Sequence, residues 1–316
     1  MTVTQLGFAG MPTRLFACTP SRLTTWLDCP RRYRFVYVDR PTPAKGAPWA
    51  HNSVGAAVHS ALAAWWDLPV DQRTAARGAA LAREKWIDLG FRDDQQSADW
   101  RERAAAMVGS YLDRIDPRAE PVGVERTVAM RTDRLAVSGR IDRLDLRGDE
   151  LVVVDYKTGR HVLTTDDARG SLALAIYALA AARTLRRQCV RVELHHLPTG
   201  EVVEWTHTAE SLDRHLRRAE DIGAEAAAAQ ASARAGSAGG PTGGEPEVGS
   251  APAGGAATAA HAADADRLDA LFPPRPGPMC GWCDFSAHCT EGRAARAPYV
   301  SWAGLAPEVS PTVDDG

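Results

Sequence analysis

"LVVVDYKTGR", residues 151–160, opens as a buried strand and closes on an acid, an aromatic, an ammonium and a Thr-Gly turn. Positions i and i+2 of an extended chain share a face. Asp155 and Lys157 are therefore expected side by side at the end of a strand. Just upstream, "VGVERTVAMR" (122–131) and "RLAVSGRIDRLDLR" (134–147) also read as strands, set off by polar turns at Thr132-Asp133 and Gly148-Asp149. The three strands predict an antiparallel meander. Downstream, the pattern predicts a helix over 168–184, a hairpin about the turn at 198–200, and a helix over 209–229.

Further out, residues 19–38 predict a helix opening near Ser21, a Cys29-Pro30 break and an aromatic-basic segment. "SVGAAVHSALAAWW" (53–66) predicts a mostly buried helix with Ser53 as its N-cap, and 72–115 reads as helical. From 230 to 263 the chain is Ala, Gly, Ser and Pro, with Val248 as the exception. Such a composition buries too little surface to offset its ordering entropy and predicts a flexible linker. The expected organisation is a core over 1–229, that linker, a cysteine-bearing segment over 264–302, and a loose tail over 303–316.

The 316 residues are 45% hydrophobic and 24% charged with net charge −3, an ordinary globular balance without a global basic field. The longest apolar run, "SLALAIYALAAA" (171–182), falls short of the ~18 residues of a membrane span. No secretory pattern stands at the N-terminus, so a reducing cytoplasm is expected. There, six cysteines point to metal or cluster ligation before disulfides. Of 37 basic residues only Lys45, Lys85 and Lys157 are lysines. Arginine cannot replace a compact point charge, so the lysine kept beside Asp155 reads as a chemical choice.

Two constellations carry chemistry. If the strands of Asp142 and Asp155 pair, their carboxylates meet at one end of the sheet. A hard cation, Mg²⁺ or Mn²⁺, relieves their repulsion. Lys157 would then face charge growing on a phosphate, and His59, the one histidine of its apolar helix, would complete the metal site. The second constellation is Cys280, Cys283 and Cys289 at C-x2-C-x5-C spacing, with Cys29 far upstream. Four thiolates suit an iron–sulfur cluster or tetrahedral zinc, and spacing leaves both open. Cys18 and Cys189 read as small apolar residues.

"CPRRYRF", "GAAVHSAL", "GRIDRLD", "VVVDYKTG" and the terminal cysteines together resemble the RecB-like exonucleases of the PD-(D/E)xK superfamily, most of all the iron–sulfur kind with an AddB-like nuclease domain. The resemblance spans about 19–290. It implies an α/β, restriction-endonuclease-like core: a mixed sheet flanked by helices, its termini joined by a four-cysteine cluster. It implies metal ligation by His59, Asp142 and Asp155, catalysis by Lys157, and a [4Fe–4S] cluster on Cys29, Cys280, Cys283 and Cys289. DNA, single-stranded and met in repair or recombination, is the implied substrate, with Arg31 and Arg32 at phosphates and Tyr177 also in contact. Glu125 falls where such enzymes often carry an acid and ranks second. One departure stands out: Ala173 fills a position where the family usually has a glutamine, four residues before Tyr177. No G-x-x-x-x-G-K-[ST] motif is present, so unwinding would need a helicase partner. The rival readings are a non-catalytic DNA-binding module of the same fold and a zinc-stapled interaction protein.

Overall fold

The computed structural model describes residues 15–238, 264–295 and 300–305. Among these residues six strands form one mixed sheet. β2 (Gly123–Arg131), β3 (Leu135–Arg147) and β4 (Glu150–Lys157) are the expected antiparallel meander. β5 (Arg191–His196) lies parallel to β4, and β6 (Glu201–Thr206) completes the expected hairpin. Parallel neighbours need a crossover, which the helices α6 (Thr165–Gly170) and α7 (Leu172–Leu185) supply. A break at Ser171, whose side chain caps α7, makes two helices of the one expected over 168–184. β1 (Phe16–Cys18) pairs in parallel with the start of β3.

Three partners must share the two edges of β3. β2 takes one edge over 136–144. β1, at 135–137, and β4, at 143–147, share the other. Between them, positions 138–142 of that edge have no strand neighbour, and the sheet is split there.

β4 is buried on both faces, which explains its unbroken apolar run. Leu151 and Val153 face a cluster with α1 (Pro20–Asp28), α2 (Pro30–Tyr37), α7 and α8 (Ala209–Ala238), anchored by Leu23, Trp26 and Ile176. Val152, Val154 and Tyr156 face the opposite cluster with α3 (Ala50–Trp66), α4 (Ala75–Glu84) and α5 (Asp94–Leu112), anchored by Leu62, Trp65 and Val108.

Further boundaries differ from the sequence expectation: the stretch 72–115 holds two helices, α4 and α5, with 85–93 between them. α3 begins at Ala50, and Ser53 is no cap: its hydroxyl donates to Leu89 O at 2.9 Å. The Ala50 N–H instead donates to Ser301 O at 2.9 Å, so a distant backbone does the work of the cap. α8 runs through Ala238, well into the expected linker. Alanine is the strongest helix former, and Ala229 and Ala233 are buried against the first cluster. Helix α9, over 264–271, is tied to it by Arg267, which donates to Ser232 O at 3.1 Å. Residues 303–305, expected as the start of a loose tail, form a turn that buries Leu305. The remaining linker, 239–263, and tail, 306–316, lie outside the described residues.

Candidate active site

The site lies where the sheet splits. One step past the Arg143–Val154 pair, the register sets Asp142 opposite Asp155. On its other edge the β2 register sets Asp142 opposite Glu125. Three carboxylates in a row across adjacent strands repel, and neither pair closes as a ladder step. The backbone yields at the same place: Glu125 has φ 47°, a left-handed value uncommon outside glycine. The alternation of side chains slips there as well. Val128 and Met130 pack into the first cluster, whereas Val124 packs against the second.

The split leaves backbone groups to satisfy. In the β3–β4 register Tyr156 would pair with Ile141, but the ladder stops at Val154. The Tyr156 N–H donates instead to Asp142 Oδ2 at 2.9 Å. Its carbonyl lies 3.1 Å from His59 Nε2, and His59 Nδ1 lies 3.4 Å from Asp142 Oδ2. The imidazole of α3 thus bridges a carboxylate and a carbonyl. Burial alone would lower the His59 pKa, but hydrogen bonding and charge from Asp142, with Asp155 behind it, raise it overall. Both carboxylates thus favour a proton on the ring.

His59, Glu125 and Asp142 each offer a ligand atom, and these atoms lie within 4.8 Å of one another. Glu125, ranked second from the sequence, therefore belongs to this trio, while Asp155 stands beside it. Register counting across the meander is the signal that would have found Glu125. Asp155 Oδ2 is buried without an aligned hydrogen-bond donor, and the Lys157 ammonium is its ion-pair partner. Burial first, and Asp142 second, push the Asp155 carboxyl up against the pull of Lys157. Glu125 is raised by burial and by Asp142, against Arg140, whose Nε is 2.7 Å away. Three crowded carboxylates, with Glu125 and Asp155 both pushed up, suit a divalent cation.

Two clefts meet at Gly55 and His59. One, of about 850 Å³, holds the trio with Ser21, Lys85, Arg140 and Tyr177. The other, of about 630 Å³, holds Lys157, Thr158 and Arg160. Tyr177 rests on β3 at Gly139, where an added Cβ would lie 2.5 Å from its ring. Ala173, one turn earlier on α7, is partly exposed and has no group to offer a hydrogen bond.

Residues 17–290 match the model of the PD-(D/E)XK nuclease superfamily. The chain belongs to that superfamily. No curated protein matches it. The mixed, helix-flanked sheet is the fold of these nucleases, and membership supports metal-dependent hydrolysis with DNA as substrate. No helix among the described residues is long and apolar enough to cross a membrane.

In this PD-(D/E)XK protein the cysteines form a separate feature. Cys29, at the break between α1 and α2, lines one small cavity with Cys280, Cys283 and Cys289. None of the four is in a disulfide, and the Arg275 N–H donates to Cys29 Sγ at 3.4 Å. Among the described residues no three cysteine sulfurs lie within 4.8 Å of one another. Phe35 packs on Phe285 beside Cys289, and Tyr33 is buried in the first cluster, so both aromatics serve packing. Cys18 and Cys189 are buried, with thiols pushed up by burial to about 11 and about 12.

Arg31 and Arg32 are not brought to the acidic clefts; both line the cysteine cavity. Arg31 is buried, 3.0 Å from Asp269 and 3.3 Å from Phe272 O, and Arg32 pairs with Asp28 at 3.7 Å. The reason is packing: α2 turns its basic face onto α9 and the cysteine segment. Their guanidiniums place positive charge beside the cysteine sulfurs.

Proposed function

We propose that this protein is a metal-dependent nuclease that hydrolyses phosphodiester bonds of single-stranded DNA, with an iron–sulfur staple joining its ends. The observation that carries the reading is the split in the sheet, where Glu125, Asp142 and Asp155 converge although their charges repel, with His59 and Lys157 beside them. His59, Asp142 and Asp155, with Glu125, would hold Mg²⁺ or Mn²⁺. The ion would supply Lewis-acid polarisation of a phosphoryl oxygen and a lowered pKa for bound water. Lys157, half-exposed and facing the second cleft, places its ammonium where charge grows on the transferred phosphoryl group. Arg140 and Lys85 offer charge to backbone phosphates along the first cleft, and Tyr177 a hydroxyl and a ring face.

The four cysteines around one cavity supply the donor set a cluster needs, and the same four donors would also suit zinc. The Arg31, Arg32 and Arg275 guanidiniums offset the net negative charge of such a site. A brown protein with broad visible absorption after anaerobic purification is the expected result; a colourless protein with one bound zinc would reject the cluster.

The test of the activity is cleavage of end-labelled single and double strands, with and without Mg²⁺ or Mn²⁺. Wild type is expected to cut single strands only with the ion present, and Lys157→Ala to lose cutting while keeping its fold and colour. Undiminished cutting by Lys157→Ala would remove the assignment. Ala173 favours one second reading, a DNA-binding module without turnover. Tight strand binding with no cutting by wild type in either ion would establish it.

A further inference from the structure

Tyr156 contacts both His59 and Asp142 through its backbone N–H and C=O, and it borders the second cleft, while its ring, edge-on to the His59 ring at 5.8 Å, is buried in the second core cluster. That side chain ends in a buried ionic network. Arg143, 4% exposed, donates from Nη1 to Tyr156 OH at 3.2 Å and to Tyr111 OH at 3.0 Å. Its guanidinium pairs with Asp145 at 2.9 Å and lies over the Trp66 ring. Tyr111 OH is 2.8 Å from His195 Nδ1, and His195 Nε2 is 2.9 Å from Glu193 Oε2. Arg147 closes the chain, donating to Glu193 and to Asp145.

A buried ionic network is poor value as a source of stability. Apolar side chains of equal volume would serve as well or better. What such a network supplies is direction, because each member has one allowed orientation. Here the direction falls on one hydroxyl. Arg143 fixes the height and tilt of the Tyr156 ring, and the ring fixes the peptide on which Asp142 and His59 are hung. No strand neighbour holds Tyr156 on the β3 side; there its backbone meets only the side chains of Asp142 and His59, and Arg143 holds its ring.

We propose that Arg143, Tyr111 and Tyr156 form a buried positioning unit that sets the aim of Asp142 and His59 through the Tyr156 peptide. The proposal rests on the metal-site reading above. These are positioning residues: none of the three lines the acidic trio's cleft.

The experiment measures Mn²⁺ affinity by calorimetry at 15 °C on the full chain, alongside the Tm of the metal-free protein. The variants are Tyr156→Phe and Arg143→Met, with Asp142→Asn as the reference for a lost ligand. Tyr156→Phe keeps the ring and its packing and removes one hydroxyl. It is expected to weaken Mn²⁺ binding about tenfold, the effect of losing a ligand's orienting partner. Arg143→Met is expected to weaken it at least as much, at a temperature where both variants are folded. A Kd within twofold of wild type for Tyr156→Phe, whatever its Tm, overturns the proposal. If Arg143→Met does not fold, Tyr156→Phe decides alone. If wild type and Asp142→Asn both fail to bind Mn²⁺, the metal-site reading falls and this inference with it. That outcome differs from one in which wild type and Tyr156→Phe bind equally.

Discussion

Gly139→Ala tests the seating of Tyr177 over the split. The new Cβ would stand 2.5 Å from Tyr177 Cε1, 3.3 Å from Cζ and 3.2 Å from Pro20 Cδ. Carbon atoms in good contact are about 3.5–4.0 Å apart, so the ring must retreat by roughly 1 Å. Overpacking of this kind costs about 1–3 kcal/mol, partly offset by the ~0.5–1 kcal/mol that alanine gains over glycine in a strand. The net loss expected in urea denaturation is about 1–2 kcal/mol. The ring lines the cleft, and a displacement of ~1 Å in a positioning group can lower turnover by about 10²-fold. Mn²⁺ affinity should hold, because His59, Glu125 and Asp142 sit on other positions of α3, β2 and β3. The decisive arm is a double-mutant cycle. With Tyr177→Ala in place, the stability cost of Gly139→Ala should disappear, a coupling of over 1 kcal/mol in about the range seen for residues in contact. An unchanged cost in that background, with wild-type cutting by Gly139→Ala, would refute the contact as the cause.

Glu125→Gln should act with opposite signs on stability and on metal. Removing one of three crowded carboxylates relieves like-charge repulsion worth about 0.2–1 kcal/mol across a strand pair, so the Tm should hold or rise while Mn²⁺ affinity falls; calorimetry showing unchanged affinity would exclude Glu125 as a ligand. Acid should destabilise the fold in two steps. Burial, aided by His215, holds His207 down at about 4, so the unfolded chain binds more protons from about pH 6.5 downward. Stability should fall across that window by about 1–2 kcal/mol after allowance for screening. Burial would raise Glu193, but hydrogen bonds from His195 and Arg147 hold it at about 2, so its contribution is lost from about pH 4.5 downward. Urea midpoints measured from pH 7 to pH 4 should decline in wild type and flatten in His207→Asn; parallel slopes would assign the decline elsewhere.

Local pattern made much of the fold readable. The alternation and polar turns of 122–157 placed three strands, and the i, i+2 rule placed Lys157 against Asp155, where its ammonium is found. The spacing of Cys280, Cys283 and Cys289 marked a cluster of thiols, and Cys29 joins the same cavity. What escaped depended on partners remote in sequence. β1 is three residues long and exists because β3 offers it an edge. The start of α3 is set by Ser301, and α8 continues because its alanines find a core to cover. Arg31 looked like a phosphate contact because nothing in its neighbourhood of sequence shows Asp269 and Phe272 O waiting for it.

The split in the sheet links fold to function more closely than any one side chain does. A continuous β3–β4 ladder would satisfy the Tyr156 peptide with backbone and hold Asp142 and Asp155 directly opposite each other. Ending the ladder at Arg143–Val154 removes that constraint and leaves one N–H and one C=O facing a gap. Buried polar groups must find partners, and those at hand are the carboxylate of Asp142 and the imidazole of His59. The same break therefore creates the need for polar side chains and fixes where they point. Asp142 answers a backbone donor with Oδ2, and its remaining acceptor capacity is available to a cation beside Glu125 and His59. A hydrophobic residue at 142 would leave the Tyr156 N–H orphaned, so here the backbone itself selects for an acceptor before any chemistry is asked of it.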